Sequence, residues 1–166
     1  MNRENTPWQA ASTAKVEWLG DDTPSALNYS DFYYSSEDGL AESRHVFLAS
    51  SDLQARWQTH NRDNFVVGET GFGTGLNFLL TWQSWRALPL PRPRLHYTAA
   101  EKYPMTHGDL SRALAAWPAL QLFANLLLDA YPPPIKGQHR LLFDEGQVTL
   151  DLHFEDAGAA FSDLAE

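Results

Sequence analysis

The spacing of apolar residues changes along the chain in a regular order, and that order predicts the elements. Residues 15–19 (KVEWL) and 29–34 (YSDFYY) are short aromatic-rich segments on either side of the turn-prone stretch 20–24, which predicts a β-hairpin or an extended leader. Asp38 followed by residues 39–49 reads as a capped helix with Leu40, Phe47 and Leu48 on one face, and residues 52–60 read as a second helical stretch. Residues 65–68 (FVVG) then form the brief, wholly apolar run expected of a buried parallel strand, ending in Glu69. Between 76 and 88 come Leu76, Phe78, Leu79, Leu80, Trp82 and Trp85, an apolar surface too broad for a helix wetted on one side, so this helix is expected to pack on a sheet.

The alternation continues with a strand at 95–101, helical stretches at about 106–117 and 118–130, a strand at 140–143, a turn at 144–146 and a strand at 147–154. Strand, helix, strand, helix, strand predicts an α/β fold with a right-handed, mainly parallel sheet. In the last strand Val148, Leu150, Leu152 and Phe154 alternate with Thr149, Asp151 and His153, as in a half-exposed strand paired with its predecessor through the Glu145-Gly146 turn. Residues 157–165 read as the start of another helix. Only three sheet-entering strands follow Asn64, where an open doubly wound domain usually has five or more. The first of them would present an unpaired apolar edge to water, so the expectation is an incomplete sheet belonging to the front portion of a longer protein.

Composition narrows the function. With 43% hydrophobic and 20% charged residues the chain is expected to fold as one globular unit. Twelve Lys+Arg against 21 Asp+Glu give a formal charge of −9, so any nucleic-acid contact is expected to be local rather than a diffuse attraction. The absence of cysteine excludes disulfides, iron–sulfur clusters and thiolate zinc sites within these residues. A polar start over residues 1–9 and apolar runs far shorter than a membrane span make a cytoplasmic location the expectation, with no membrane partner. His45, His60 and His153 lack metal-ligand spacing, so no metal is expected.

The chemistry concentrates in residues 65–78, FVVGETGFGTGLNF, where a strand ending in Glu69 passes through Gly71, Gly73 and Gly75 into a helix. Glycines let the backbone turn sharply and approach a ligand, and the helix start offers free N–H groups. A dinucleotide fingerprint would need glycine where Leu76 stands, and a P-loop would need a Gly-Lys-Ser/Thr that is absent. E-x-G-x-G-x-G after a strand resembles motif I of the class I S-adenosylmethionine-dependent methyltransferases; a tight turn with no ligand is the alternative. Glu101 closes the next strand, where an acid can accept hydrogen bonds from ribose hydroxyls; a solvated residue beside Lys102 is its alternative. Glu155 and Asp156 end the third strand, and a helix cap explains Asp156 as well as an adenine contact does. The run Arg86, Arg92 and Arg94, set among prolines, joins a helix to the start of a strand and reads as a connector at the amino edge.

The segments DFYYSSEDGLAESRHVFL, GETGFGTGLNFLLTW, EKYPMTHGDL and HRLLFDEGQVTLDLHFEDA closely resemble the methyltransferase half of the MnmC family of bifunctional tRNA 5-methylaminomethyl-2-thiouridine biosynthesis proteins. The resemblance runs from about Trp18 onward. It implies a class I methyltransferase (Rossmann-like) fold with an N-terminal hairpin and helical extension over 1–60 and the first part of the cofactor domain over 61–166. It implies methylation by S-adenosylmethionine of the aminomethyl group on a tRNA wobble uridine, with a separate FAD-dependent half that exposes the amine and holds most of the tRNA. Glu69, Gly71, Gly73, Gly75 and Asn77 would then line the methionine and ribose part of the cofactor, Glu101 the ribose and Asp156 the adenine. Asp31, Tyr33, Gly39, Glu42, Ser43 and Arg44 match a lid or substrate-side element, with a core Tyr33 and a solvated Glu42 and Arg44 face as the alternative. The family's catalytic aspartate, in a DGFAPAKNP-like segment, has no counterpart up to Glu166, so the 166 residues alone are expected to be inactive or weakly cofactor-binding. A methyltransferase for a small molecule or protein, or a docking module that kept the glycine turn for stability, are the rival expectations.

Overall fold

The structure, a computed structural model, describes residues 8–19, 24–26, 31–32, 47 and 51–162. The helix expected at 39–49 falls almost wholly outside these residues. Near the N-terminus β1 (Val16–Trp18), β2 (Pro24–Ala26) and β3 (Asp31–Phe32) form an antiparallel sheet in the order β1-β2-β3. Among the described residues the expected hairpin partners, 15–19 and 29–34, are therefore not paired directly. Pro24, read as the end of a turn, instead opens an intervening strand, and its missing N–H is tolerated at a strand's first residue. Helix α1 (Leu53–Thr59) follows, with Leu53 and Trp57 buried and the Trp57 ring 5.5 Å from that of Phe65.

The main sheet holds β4 (Asn64–Glu69), β5 (Arg94–Ala100), β6 (Gly137–Phe143) and β7 (Val148–Phe154) in the order β4-β5-β7-β6. The first three in space are parallel, and β6 runs antiparallel to β7 with Phe143 opposite Val148 across a short 3-10 turn, Asp144–Gly146. The parallel pairs are linked by α2 (Leu76–Arg86) and by α3 (His107–Leu114) with α4 (Gln121–Ala130), as the strand–helix alternation predicts.

One face of the sheet carries the core. Phe65, Val67, Leu95, Tyr97, Ala99, Val148, Leu150, Leu152 and Phe154 point into it, and α2 lies against them with Leu76, Phe78, Leu79, Leu80, Trp82 and Trp85 buried. This breadth of burial is why α2 shows no clean polar stripe: it lies between the sheet and α4, where Trp82 meets Phe123 at 5.0 Å and Phe143 at 4.6 Å. The other face carries α5 (Ala157–Phe161), whose Phe161 ring is 6.2 Å from His153, and leaves Val66 and Leu142 exposed at 58% and 62%. Strand β4 pairs only with β5 among the described residues, so the edge expected from the strand count is present there.

At the amino edge the arginine run acts as a connector. Arg92 donates to the carbonyls of Arg86 and Leu88 and lies 4.0 Å over the Trp85 ring, whose Nε1 donates to the Pro93 carbonyl. These bonds satisfy the last turn of α2 and tie it to the start of β5.

Candidate functional site

The carboxyl ends of β4, β5 and β7 bring together residues far apart in the sequence. The turn after β4 folds over the end of β5, with the Phe72 N–H donating to the Ala100 carbonyl at 3.0 Å. The buried Phe72 ring lies beneath the turn and 6.4 Å from Phe78, on the core side. Gly73 and Gly75 take positive φ, 54° and 72°. A Cβ on Gly75 would stand 2.7 Å from the Phe72 ring and 3.3 Å from Leu127, so this glycine is required by packing as well as by its left-handed backbone. At the exposed Gly71 a Cβ would meet nothing within 4 Å, so here the backbone faces open space.

Glu101 binds that turn directly. Its Oε2 accepts from the Gly73 N–H at 2.8 Å and its Oε1 from the Tyr103 N–H at 2.9 Å, while its own N–H donates to the His153 carbonyl and extends the sheet by one bond. Burial raises its pKa above the ordinary value, and the two backbone donors pull the other way. Glu69 is held by side chains: Asn77 Nδ2 donates to Oε1 at 2.7 Å and the Tyr97 hydroxyl to Oε2 at 2.9 Å. Burial pushes its pKa up to about 7, the Asn77 and Tyr97 donors lower it, and the charge of Glu101 raises it. Tyr97 is itself raised well above its ordinary range, by burial first and then by the Glu69 charge.

Neither carboxylate forms an ion pair with a cation among the described residues. Among the described residues each oxygen accepts one protein hydrogen bond and keeps further acceptor capacity. Such an acceptor set fits a cationic molecule with hydroxyl groups, and it disfavours phosphate.

Asp156 stands at the end of β7 with a structural task. Its Oδ1 accepts from the Gly158 N–H at 3.0 Å as the N-cap of α5, and its Oδ2 lies 3.4 Å from Lys102 Nζ. Of the substrate-side residues, Asp31 lies in β3, paired with Ala26, and Tyr33, Gly39, Glu42, Ser43 and Arg44 lie outside the described residues. The residue that sequence reasoning missed is Tyr97. It reads as one more core aromatic of an alternating strand, and nothing in the sequence shows that its hydroxyl reaches Glu69.

No family model matches the chain. It is similar to tRNA 5-methylaminomethyl-2-thiouridine biosynthesis bifunctional proteins MnmC from Methylobacillus flagellatus, at 44% identity over 93% of this chain and 24% of the relative. The Aeromonas hydrophila MnmC is 46% identical over 86% of this chain and 22% of the relative, and that of Aliivibrio fischeri 42% over 90% and 23%. A crystal structure of MNMC2 from Aquifex aeolicus superposes with a TM-score of 0.59, covering 98% of this chain and 47% of that one, at 19% identity. That likeness supports the Rossmann-like α/β fold and nothing finer. Over nearly all its residues the chain therefore matches part of these MnmC proteins at 42–46% identity, and it spans about a quarter of the length of the relatives it matches.

Proposed function

We propose that the carboxyl edge of this sheet binds S-adenosylmethionine and serves methylation of the aminomethyl group of 5-aminomethyl-2-thiouridine at the wobble position of tRNA. The observation that carries the reading is the Glu101 carboxylate bonded to the Gly73 N–H at 2.8 Å, beside a turn whose Gly71 faces open space. An acid fixed at the end of the second parallel strand, against a glycine turn at the end of the first, is where the open α/β sheet receives a nucleoside.

When bound, S-adenosylmethionine supplies an electrophilic methyl group. Glu101 would accept from the ribose hydroxyls while the Gly73 and Tyr103 amides keep its carboxylate from swinging away. Glu69 would face the cationic methionine end, and the Gly71 backbone would allow close approach because no side chain intervenes. Asp156 would take the adenine amino group through acceptor capacity not used in capping α5. Residues 1–60 would form the substrate-side element and 61–166 the cofactor part. An acidic edge suits a cofactor and an amine acceptor but repels a phosphate backbone, so the tRNA backbone would be gripped elsewhere, by a separate FAD-dependent half as in the family.

Isothermal calorimetry with these residues carried in a chain of the relatives' full length tests the reading. S-adenosylmethionine should bind with one site, displaced by S-adenosylhomocysteine and not by ATP or NAD. Binding of NAD or ATP in its place, or heat unchanged in Glu101→Gln, would overturn it.

A further inference from the structure

We propose that Tyr97 is a positioning residue for the cofactor: its hydroxyl holds the Glu69 carboxylate in place, and in its charged form, toward the cationic end of the bound molecule. The inference rests on the reading of this edge as an S-adenosylmethionine site. In the β4–β5 register Tyr97 stands beside Val67, two residues before Glu69 and on the same face. Two residues of strand are about 7 Å, a gap that a phenol spans and a serine or threonine does not. The ring is fully buried and meets Phe78 edge-on at 5.2 Å, so the hydroxyl is aimed by packing rather than by solvent.

The bond has a direction. A tyrosine hydroxyl donating at 2.9 Å to Oε2, with Asn77 donating at 2.7 Å to Oε1, favours the carboxylate over the carboxylic acid. Among the described residues the groups facing Glu69 are Tyr97, the neutral Asn77 and the carboxyl of Glu101, which opposes its ionisation. Burial opposes it too, and the balance lies at about 7. Near neutral pH each donor therefore decides how much of Glu69 is charged and ready for a cation.

Tyr97→Phe keeps the ring and removes only the donor. Carbon-13 NMR of the Glu69 side-chain carboxyl should show its titration moving upward by about one unit, since a hydrogen bond to a charged group contributes about that much. S-adenosylmethionine affinity at pH 7 should fall severalfold and recover at pH 8.5, and the substitution should have no further effect in a Glu69→Gln background. An unmoved titration in Tyr97→Phe, or an equal loss of affinity at every pH and in the Glu69→Gln background, would overturn the inference alone. A wild-type protein of the relatives' full length that binds no cofactor at any pH would overturn the parent reading and this inference with it.

Discussion

Asp151, in the middle of β7, and Glu69, at the end of β4, are both carboxylates drawn out of water, and the molecule surrounds them in opposite ways. Asp151 sits on the sheet face that α5 only partly covers. Arg140 from β6 donates two 2.7 Å bonds to it and His96 from β5 lies at 2.7 Å, so three neighbouring strands are clamped through one acid. Burial alone would raise its pKa, but the bonds from Arg140 and then His96 outweigh it and hold the group at about 2. Among the described residues Glu69 has only neutral donors beside it, and it lies at about 7. The first acid is satisfied by the protein itself and builds structure, whereas the second is left short of a positive charge at the edge where the fold receives ligands.

The comparison is sharpest when each acid is neutralised in turn. Asp151→Asn should cost about 2 kcal/mol of stability by denaturant unfolding, a value discounted from that of a fully buried pair because Arg140 and His96 are partly exposed. Glu69→Gln should leave stability equal or raised, because it removes a charge that burial disfavours. Equal losses in the two variants would erase the distinction drawn here.

Two glycines divide in the same way between structure and ligand. Gly75→Ala should cost about 2 kcal/mol, combining the left-handed backbone with the close approach of Phe72. Gly71→Ala should leave thermal stability within about 0.5 kcal/mol while weakening cofactor binding by calorimetry.

The pH dependence of unfolding also separates the acids. Glu69 has a raised folded pKa, so its contribution is fully present below the unfolded value of 4.5 and is lost as pH rises through about 7. Asp151 has a lowered one, so its contribution is present above 3.8 and is lost as pH falls through about 2. Denaturant midpoints followed from pH 2 to 8 should therefore decline at both ends, and Glu69→Gln should flatten the upper decline only.

Much of this was legible in the sequence because it depends on local pattern. Strand ends and glycines mark where β4 becomes α2, the alternation in 148–154 gives the β6–β7 pair, and the acid closing β5 is placed by its distance from the glycines. What was hidden depends on register between strands. Tyr97 reaches Glu69 only because Val67 is its neighbour, and the Arg140–Asp151–His96 clamp exists only because β7 lies between β5 and β6. The strand at Pro24 was hidden for another reason: a proline beside Asp21 and Asp22 reads as a turn until a partner strand forms beside it.

The most direct test of the central claim is a nitrogen-15 NMR titration of the chain with S-adenosylhomocysteine, following backbone amides at both edges of the sheet. The amides of Gly71, Gly73 and Tyr103 should shift together and saturate at one stoichiometry, while those of Arg62, two residues before β4, and Arg94, the first residue of β5, at the opposite edge stay where they are. Shifts confined to the Arg62–Arg94 edge, or none at the glycine turn in saturating ligand, would contradict the account.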